Sequence, residues 1–244
     1  MTLRVSPDAE IWFLTGSQSL YGDDTLRQVA IQSQEVVKML QSAEGLPLKI
    51  VWKPVVLTPE SIRKVCLEAS SNDNCFGVIT WMHTFSPAKM WIAGLTVLQK
   101  PTLHFHTQAN FSLPWATLDM NFMNLNQSAH GDREYGHIAA RLNKPRKVVT
   151  GYATDPKTTS RIADWMSACI GWNTANNLKM ARFGDNMRFV AVTDGDKTSA
   201  QMRFGMSIEA YGVNTLVDAV KSATQYDIDN LVTTYLDEFE VVSE

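Results

Sequence analysis

The sequence predicts an α/β fold: a Rossmann-like, doubly wound parallel sheet followed by the incomplete start of a second α/β domain. Three observations carry that expectation. Short apolar runs alternate with longer segments of helical periodicity, and the runs are almost continuously apolar, as strands covered on both faces must be. Several helical segments also open on a capping residue followed by proline.

The elements follow in order. Residues 11–15 form the first apolar run, and a helix is expected over about 25–40, where Leu26, Val29, Ala30, Val36, Val37 and Leu40 share one face. Residues 48–53 give the second strand, followed by a helix in which Ile62, Val65, Cys66 and Ala69 recur at i, i+3, i+4 and i+7. The third strand spans 76–82 with a helix from Pro87, the fourth 101–106 with a helix near 133–142, and the fifth 146–151 with a helix from Pro156. Thr58-Pro59, Ser86-Pro87 and Asp155-Pro156 are each expected to cap a helix, because the side chain accepts an orphan N–H and proline leaves none unsatisfied. These units occupy about residues 8–176, and the N-terminal domain is drawn at 1–177. From 178 to 244 the rhythm changes to an apolar-rich run at 178–183, a strand candidate at 190–193, and helices at 214–223 and 227–240. This segment is read as the beginning of a second domain that stops before its core is complete.

Composition excludes several classes. With 45% hydrophobic residues and a net charge of -3 over 244 residues, the chain is neither disordered nor a polycation for nucleic acid or anionic membrane. No apolar stretch approaches the roughly 20 residues of a membrane-spanning helix. The N-terminus lacks a basic region followed by an apolar one, so a cytoplasmic location is expected. Cys66, Cys75 and Cys169 are odd in number and sit in apolar-periodic segments, which makes them small buried hydrophobes.

Ligands of open parallel sheets bind beyond the carboxyl ends of the strands. The loops there, at 16–22, 83–86 and 106–108, offer amides, hydroxyls, imidazoles and aromatic rings, a set suited to a polyol. Gly16 and Gly22 do not complete a G-x-G-x-x-G fingerprint, and no phosphate-binding G-x-x-x-x-G-K-[ST] loop is present. His104 and His106 share a strand face and could hold a metal, but without further ligands at suitable spacing a structural or substrate-contacting role is favoured. Asp185, Asp194 and Asp196, among Arg182, Arg188 and Lys197, are read as turn caps and surface ion pairs. No catalytic carboxylate pair and no nucleophile elbow can be picked out.

Longer runs go further. Gly16-Ser-Gln-Ser-Leu-Tyr-Gly22, Trp81-Met-His-Thr-Phe-Ser-Pro-Ala-Lys-Met-Trp91, Asp119-Met-Asn-Phe-Met-Asn-Leu-Asn-Gln-Ser-Ala-His-Gly131, Arg182-Phe-Gly-Asp-Asn-Met-Arg188 and Val192-Thr-Asp-Gly-Asp-Lys197 resemble the L-arabinose isomerase family. The resemblance runs to about residue 240. It implies a cytoplasmic, homohexameric enzyme interconverting L-arabinose and L-ribulose, and in some members D-galactose and D-tagatose, with Mn2+. It implies that Gln18, Leu20, Tyr21, Phe85 and Met187 line a sugar pocket, and that Gln127 and His130 reach the site of a neighbouring subunit. The family's metal ligands, two glutamates and two histidines, are expected beyond Glu244, so the isolated chain is expected to be inactive. A non-catalytic sugar-binding or assembly module is the alternative. Two positions depart from the family run: Asp132 stands in place of glycine, with an expected effect on the turn beside His130, and Phe189 in place of an acidic residue.

Overall fold

Alternation within β1 (Glu10–Thr15) sets the two faces of the main sheet. Ile11 and Phe13 enter one buried cluster, and Trp12 and Leu14 enter the other. The computed structural model describes residues 6–240 and 242, so the outermost residues of both expected domains lie outside it. After β1 come α1 (Gly22–Gln41), β2 (Lys49–Trp52), α2 (Pro59–Ser71), β3 (Cys75–Trp81), α3 (Ile92–Val97), β4 (Thr102–His106), α4 (Met120–Asn124), α5 (Ser128–Arg141), β5 (Lys147–Thr150) and α6 (Pro156–Asn177). The five strands pair in parallel in the order β2-β1-β3-β4-β5. Helices α1 and α6 cover the face carrying Ile11, Phe13, Leu103 and Phe105, and α2, α3 and α5 cover the other. The sheet is therefore doubly wound, and its order reverses between β1 and β3.

Helix α2 starts as expected. Thr58 accepts from Ser61 N–H at 3.1 Å while Ser61 Oγ accepts from Thr58 N–H, closing a capping box ahead of Pro59. Asp155 likewise accepts from Lys157 N–H at 2.9 Å at the start of α6. Ser86 does not cap. Its hydroxyl accepts the indole N–H of Trp91 at 3.0 Å, Ala88 N–H goes to Glu134, and the segment enters a 3-10 turn at Ala88–Trp91 before α3. At the end of α5, Asn143 takes φ 52°, with Lys144 N–H on Ala139 O and Asn143 N–H on Ala140 O, a Schellman motif in which asparagine replaces glycine.

The chain divides into two compact units between Asn173 and Thr174, inside the last turns of α6. The second unit holds β6 (Lys179–Phe183), α7 (Lys197–Phe204), β7 (Ser207–Tyr211), α8 (Val213–Ser222) and α9 (Gln225–Glu238), with β6 and β7 paired in parallel. Residues 190–193 are not a strand: Ala191–Thr193 form a 3-10 turn, closed by Thr193 Oγ1 donating to Val190 O at 2.8 Å. Among its described residues no side chain is fully buried.

Candidate functional site

Order reversal in a parallel sheet splays the loops after the two strands concerned, leaving a crevice at their carboxyl ends. Here those strands are β1 and β3. Gly16 N–H donates to Trp81 O, and the Ser17 and Thr84 hydroxyls meet at 2.8 Å, so the two loops are tied at their roots. A methyl at Gly16 would lie 2.6 Å from Ser86 Oγ and 2.8 Å from Trp91, which explains a residue without Cβ at that point. Beyond the tie the side chains open outward: Gln18 and Tyr21 are half-buried and Leu20 is 84% exposed.

Phe85 follows β3, and its ring meets the His130 imidazole at a centroid distance of 4.7 Å. Gln127 ends the loop that leads into α5, whereas His130 does not lie in a loop. Helix α5 begins at Ser128, earlier than periodicity indicated, so His130 projects from its first turn. Ser128 Oγ and Trp81 Nε1 both donate to Thr107 O, locking the start of α5 and the ends of β3 and β4 together. Met187 belongs to the second unit, where it is exposed beside a turn built by Thr193. The structure thus brings Phe85 and His130 into contact and sets Gln18 on the adjoining strand end.

A buried polar line runs beside this crevice. His104 Nε2 and Asp132 Oδ1 lie 2.7 Å apart, and His104 Nδ1 and His106 Nε2 lie 3.0 Å apart. Burial pushes the Asp132 carboxyl up to about 7 and drives His104 down to about 3, and His106 also shifts downward, so each moves toward its uncharged form. The Asp132–His104 contact is accordingly a hydrogen bond to an uncharged imidazole rather than a full ion pair. Asp132 does not alter a turn near His130, because it sits inside α5 and faces β4. Its signal in the sequence was its place in the buried α5 stripe with Ser128, Tyr135 and Ala139, where an acid needs a partner. His83, after β3, is stacked on Trp81 at 4.1 Å and held to Gln32 Oε1 at 2.6 Å; burial lowers its pKa to about 3.

The three cysteines are free and buried, with thiols pushed up to about 12, 11 and 12 for Cys66, Cys75 and Cys169, which makes them packing groups rather than nucleophiles. Asp196 caps α7 through Ser199 N–H, and Asp185 and Asp194 bond Asn186; among the described residues none of the three forms an ion pair. No helix of the described residues is long and apolar enough to cross a membrane.

The family model for the L-arabinose isomerase N-terminal domain matches residues 5–177, and the model for the L-arabinose isomerase central domain matches residues 179–244. The chain belongs to the L-arabinose isomerase family. Among curated relatives, the L-arabinose isomerase of Arthrobacter sp. (strain FB24) is 55% identical over 235 residues, 96% of this chain and 46% of that protein. That of Acidothermus cellulolyticus is 55% identical over 244 residues, 100% of this chain and 48% of its own. The Geobacillus stearothermophilus enzyme is 52% identical over 233 residues, 96% and 47% respectively. The chain spans about half the length of these L-arabinose isomerases.

Proposed function

We propose that this chain supplies the sugar-facing N-terminal portion of an L-arabinose isomerase, interconverting L-arabinose and L-ribulose. The observation that carries the reading is the unbroken match of two successive L-arabinose isomerase family models along the chain. In this reading residues 1–177 are the N-terminal domain and 178–244 the start of the central one. Gln18, Leu20, Tyr21 and Phe85 form one wall of the sugar site at the carboxyl ends of β1 and β3, and Met187 contributes from the second unit. Gln127 and His130 face a neighbouring subunit of a cytoplasmic homohexamer, and D-galactose is the second substrate to assay, as one used by some members of the family.

Aldose–ketose isomerisation transfers hydrogen between adjacent sugar carbons, and a divalent metal such as Mn2+, when bound, supplies the Lewis acid for the carbonyl oxygen. The described residues do not provide the two-glutamate, two-histidine set that the resemblance implies. Their one cluster of three potential ligands is His104, His106 and Asp132, and these are engaged with one another. What this chain's residues do is bind and orient. Gln18 presents an amide to sugar hydroxyls and the Phe85 ring packs against C–H faces, while the His130 imidazole offers a polar edge to the neighbouring subunit's site.

Two preparations test this. Joined in frame to the part of the Geobacillus stearothermophilus relative that follows the matched segment, the chain is expected to convert L-arabinose to L-ribulose with Mn2+; a folded chimera without turnover overturns the assignment. The chain by itself is expected to give no ribulose, and turnover there would place the metal ligands within it.

A further inference from the structure

The spacing of His104 and His106 puts two imidazoles on one face of β4, which alone supplies two metal ligands and no third. Packing supplies the third. Asp132 projects from α5 onto the same spot, and one ligand atom can be taken from each of the three side chains so that all lie within 4.8 Å of one another. Among the described residues this is the one group of three histidine, cysteine, aspartate or glutamate side chains so placed.

The backbone beneath the three is fixed before any ion arrives. At these positions β4 is paired on both edges, His104 with Thr80 and Val148, and His106 with Thr150. Ser128 Oγ on Thr107 O anchors the start of α5, and Asp132 lies one turn further along the same helix face. The Tyr135 ring stands against His104 at a centroid distance of 4.5 Å, so the fully buried imidazole has little room to turn. His106 is half-buried and can rotate. It lines, with Asp132, a cavity of about 800 Å³ at the carboxyl ends of β4 and β5, which gives an ion a route in and leaves one coordination position facing that space.

The donor set selects the ion. Zn2+ takes imidazole nitrogen and carboxylate oxygen at about 2.0–2.2 Å, which spaces tetrahedral donors by about 3.3–3.6 Å. The three side chains span separations on both sides of that value, from 2.7 Å to within 4.8 Å, so rotation of the His106 ring and of the carboxylate brings them to it. Mg2+ and Ca2+ want six or more oxygens and find one carboxylate here, and Mn2+ stands below Zn2+ in affinity for nitrogen ligands. Arg146 lines the same cavity and opposes a second cation, which holds the expected affinity to the micromolar range.

We propose that His104, His106 and Asp132 bind a Zn2+-like transition ion, with its fourth position open to the cavity, and that the ion clamps the start of α5 to β4. The inference rests on the geometry of the first unit alone and does not depend on the isomerase reading.

Calorimetric titration of the metal-stripped 244-residue chain with Zn2+, Mn2+ and Mg2+ decides it. One equivalent of Zn2+ is expected to bind saturably, at least tenfold more tightly than Mn2+ or Mg2+, and to raise Tm. Co2+ in its place is expected to give the visible absorption of a tetrahedral site without thiolate bands, because the three cysteines are buried elsewhere. His106→Gln and Asp132→Asn are each expected to weaken Zn2+ binding tenfold or more with the far-UV circular dichroism unchanged, whereas His137→Gln, at an exposed histidine of α5, leaves it as in the parent. Either ligand variant decides if the other fails to fold, and the Co2+ spectrum of the parent decides if both do. The proposal is overturned if Zn2+ does not saturate at submillimolar concentration, if Mn2+ binds as tightly, if a folded His106→Gln or Asp132→Asn chain binds like the parent, if His137→Gln abolishes binding, or if bound Co2+ shows an octahedral or thiolate spectrum. Because no turnover is read, failure here leaves the isomerase proposal untouched, and an inactive chimera would leave this one untouched.

Discussion

Single positions at the crevice are held by close packing, and this sets what substitutions there do. Gly16→Ala pushes a methyl against Ser86 and the Trp91 ring, two groups already hydrogen-bonded to each other, so the fold should lose about 1–3 kcal/mol in urea unfolding. Retention of parental stability would show that the β3 loop yields there. His83 gives a pH signature. Burial keeps it neutral down to about 3, whereas an unfolded histidine takes up its proton near the ordinary imidazole value of 6.5. The unfolded state therefore binds more protons in that window, and the stability from His83 is present above 6.5 and lost as pH falls toward 3. His83→Gln keeps a donor toward Gln32 and should flatten the acid side of the Tm–pH curve; an unchanged slope would remove His83 as its source. Asp132 acts in the opposite sense, because its raised pKa makes the folded state the proton binder between the ordinary carboxylate range and about 7. In the isomerase chimera, His130→Ala should lower kcat/KM tenfold or more while changing stability by less than about 1 kcal/mol, since His130 is exposed. Unchanged kinetics would remove it from the sugar site.

Elements with strong local signals were legible in the sequence, and those defined by distant partners were not. The α2 pattern of Ile62, Val65, Cys66 and Ala69, with Thr58-Pro59 ahead of it, contains within a few residues everything that helix needs. Thr58→Ala should accordingly cost about 1 kcal/mol, measured as a shift in urea midpoint at constant m-value. A shift close to zero would mean that Pro59 and water suffice to start the helix. Ser86-Pro87 carries the same two-residue signal and fails because the indole of Trp91 reaches Ser86 first. Strand β7 was missed because its alternation runs over only five residues, with just Ile208 and Ala210 as the apolar face; its pairing with β6 is what makes it a strand. The candidate site shows the same division. Gln18, Phe85 and His130 could be named from motifs, but the 2.7 Å approach of Asp132 to His104 depends on how α5 packs against β4, which no local pattern encodes.

For the molecule as a whole, burial separates the two units. The first has apolar clusters on both faces of its sheet, while the second has no fully buried side chain among its described residues. Hydrogen exchange should therefore leave β1, β3 and β4 protected long after β6, β7, α8 and α9 have exchanged, because local opening is resisted by buried contacts. Equal protection across both units would contradict that distribution. The strand order also fixes where the main sheet ends. β2 and β5 are its borders, and each carries an exposed lysine: Lys49, which is ion-paired to Glu10 of β1 at 3.3 Å, and Lys147. A strand from another molecule docking on either border would have to accommodate an ammonium group beside unpaired backbone, so the sheet is guarded against growth by strand addition. Fibril-like polymerisation of the five-stranded sheet is thereby opposed by charged residues at its own margins.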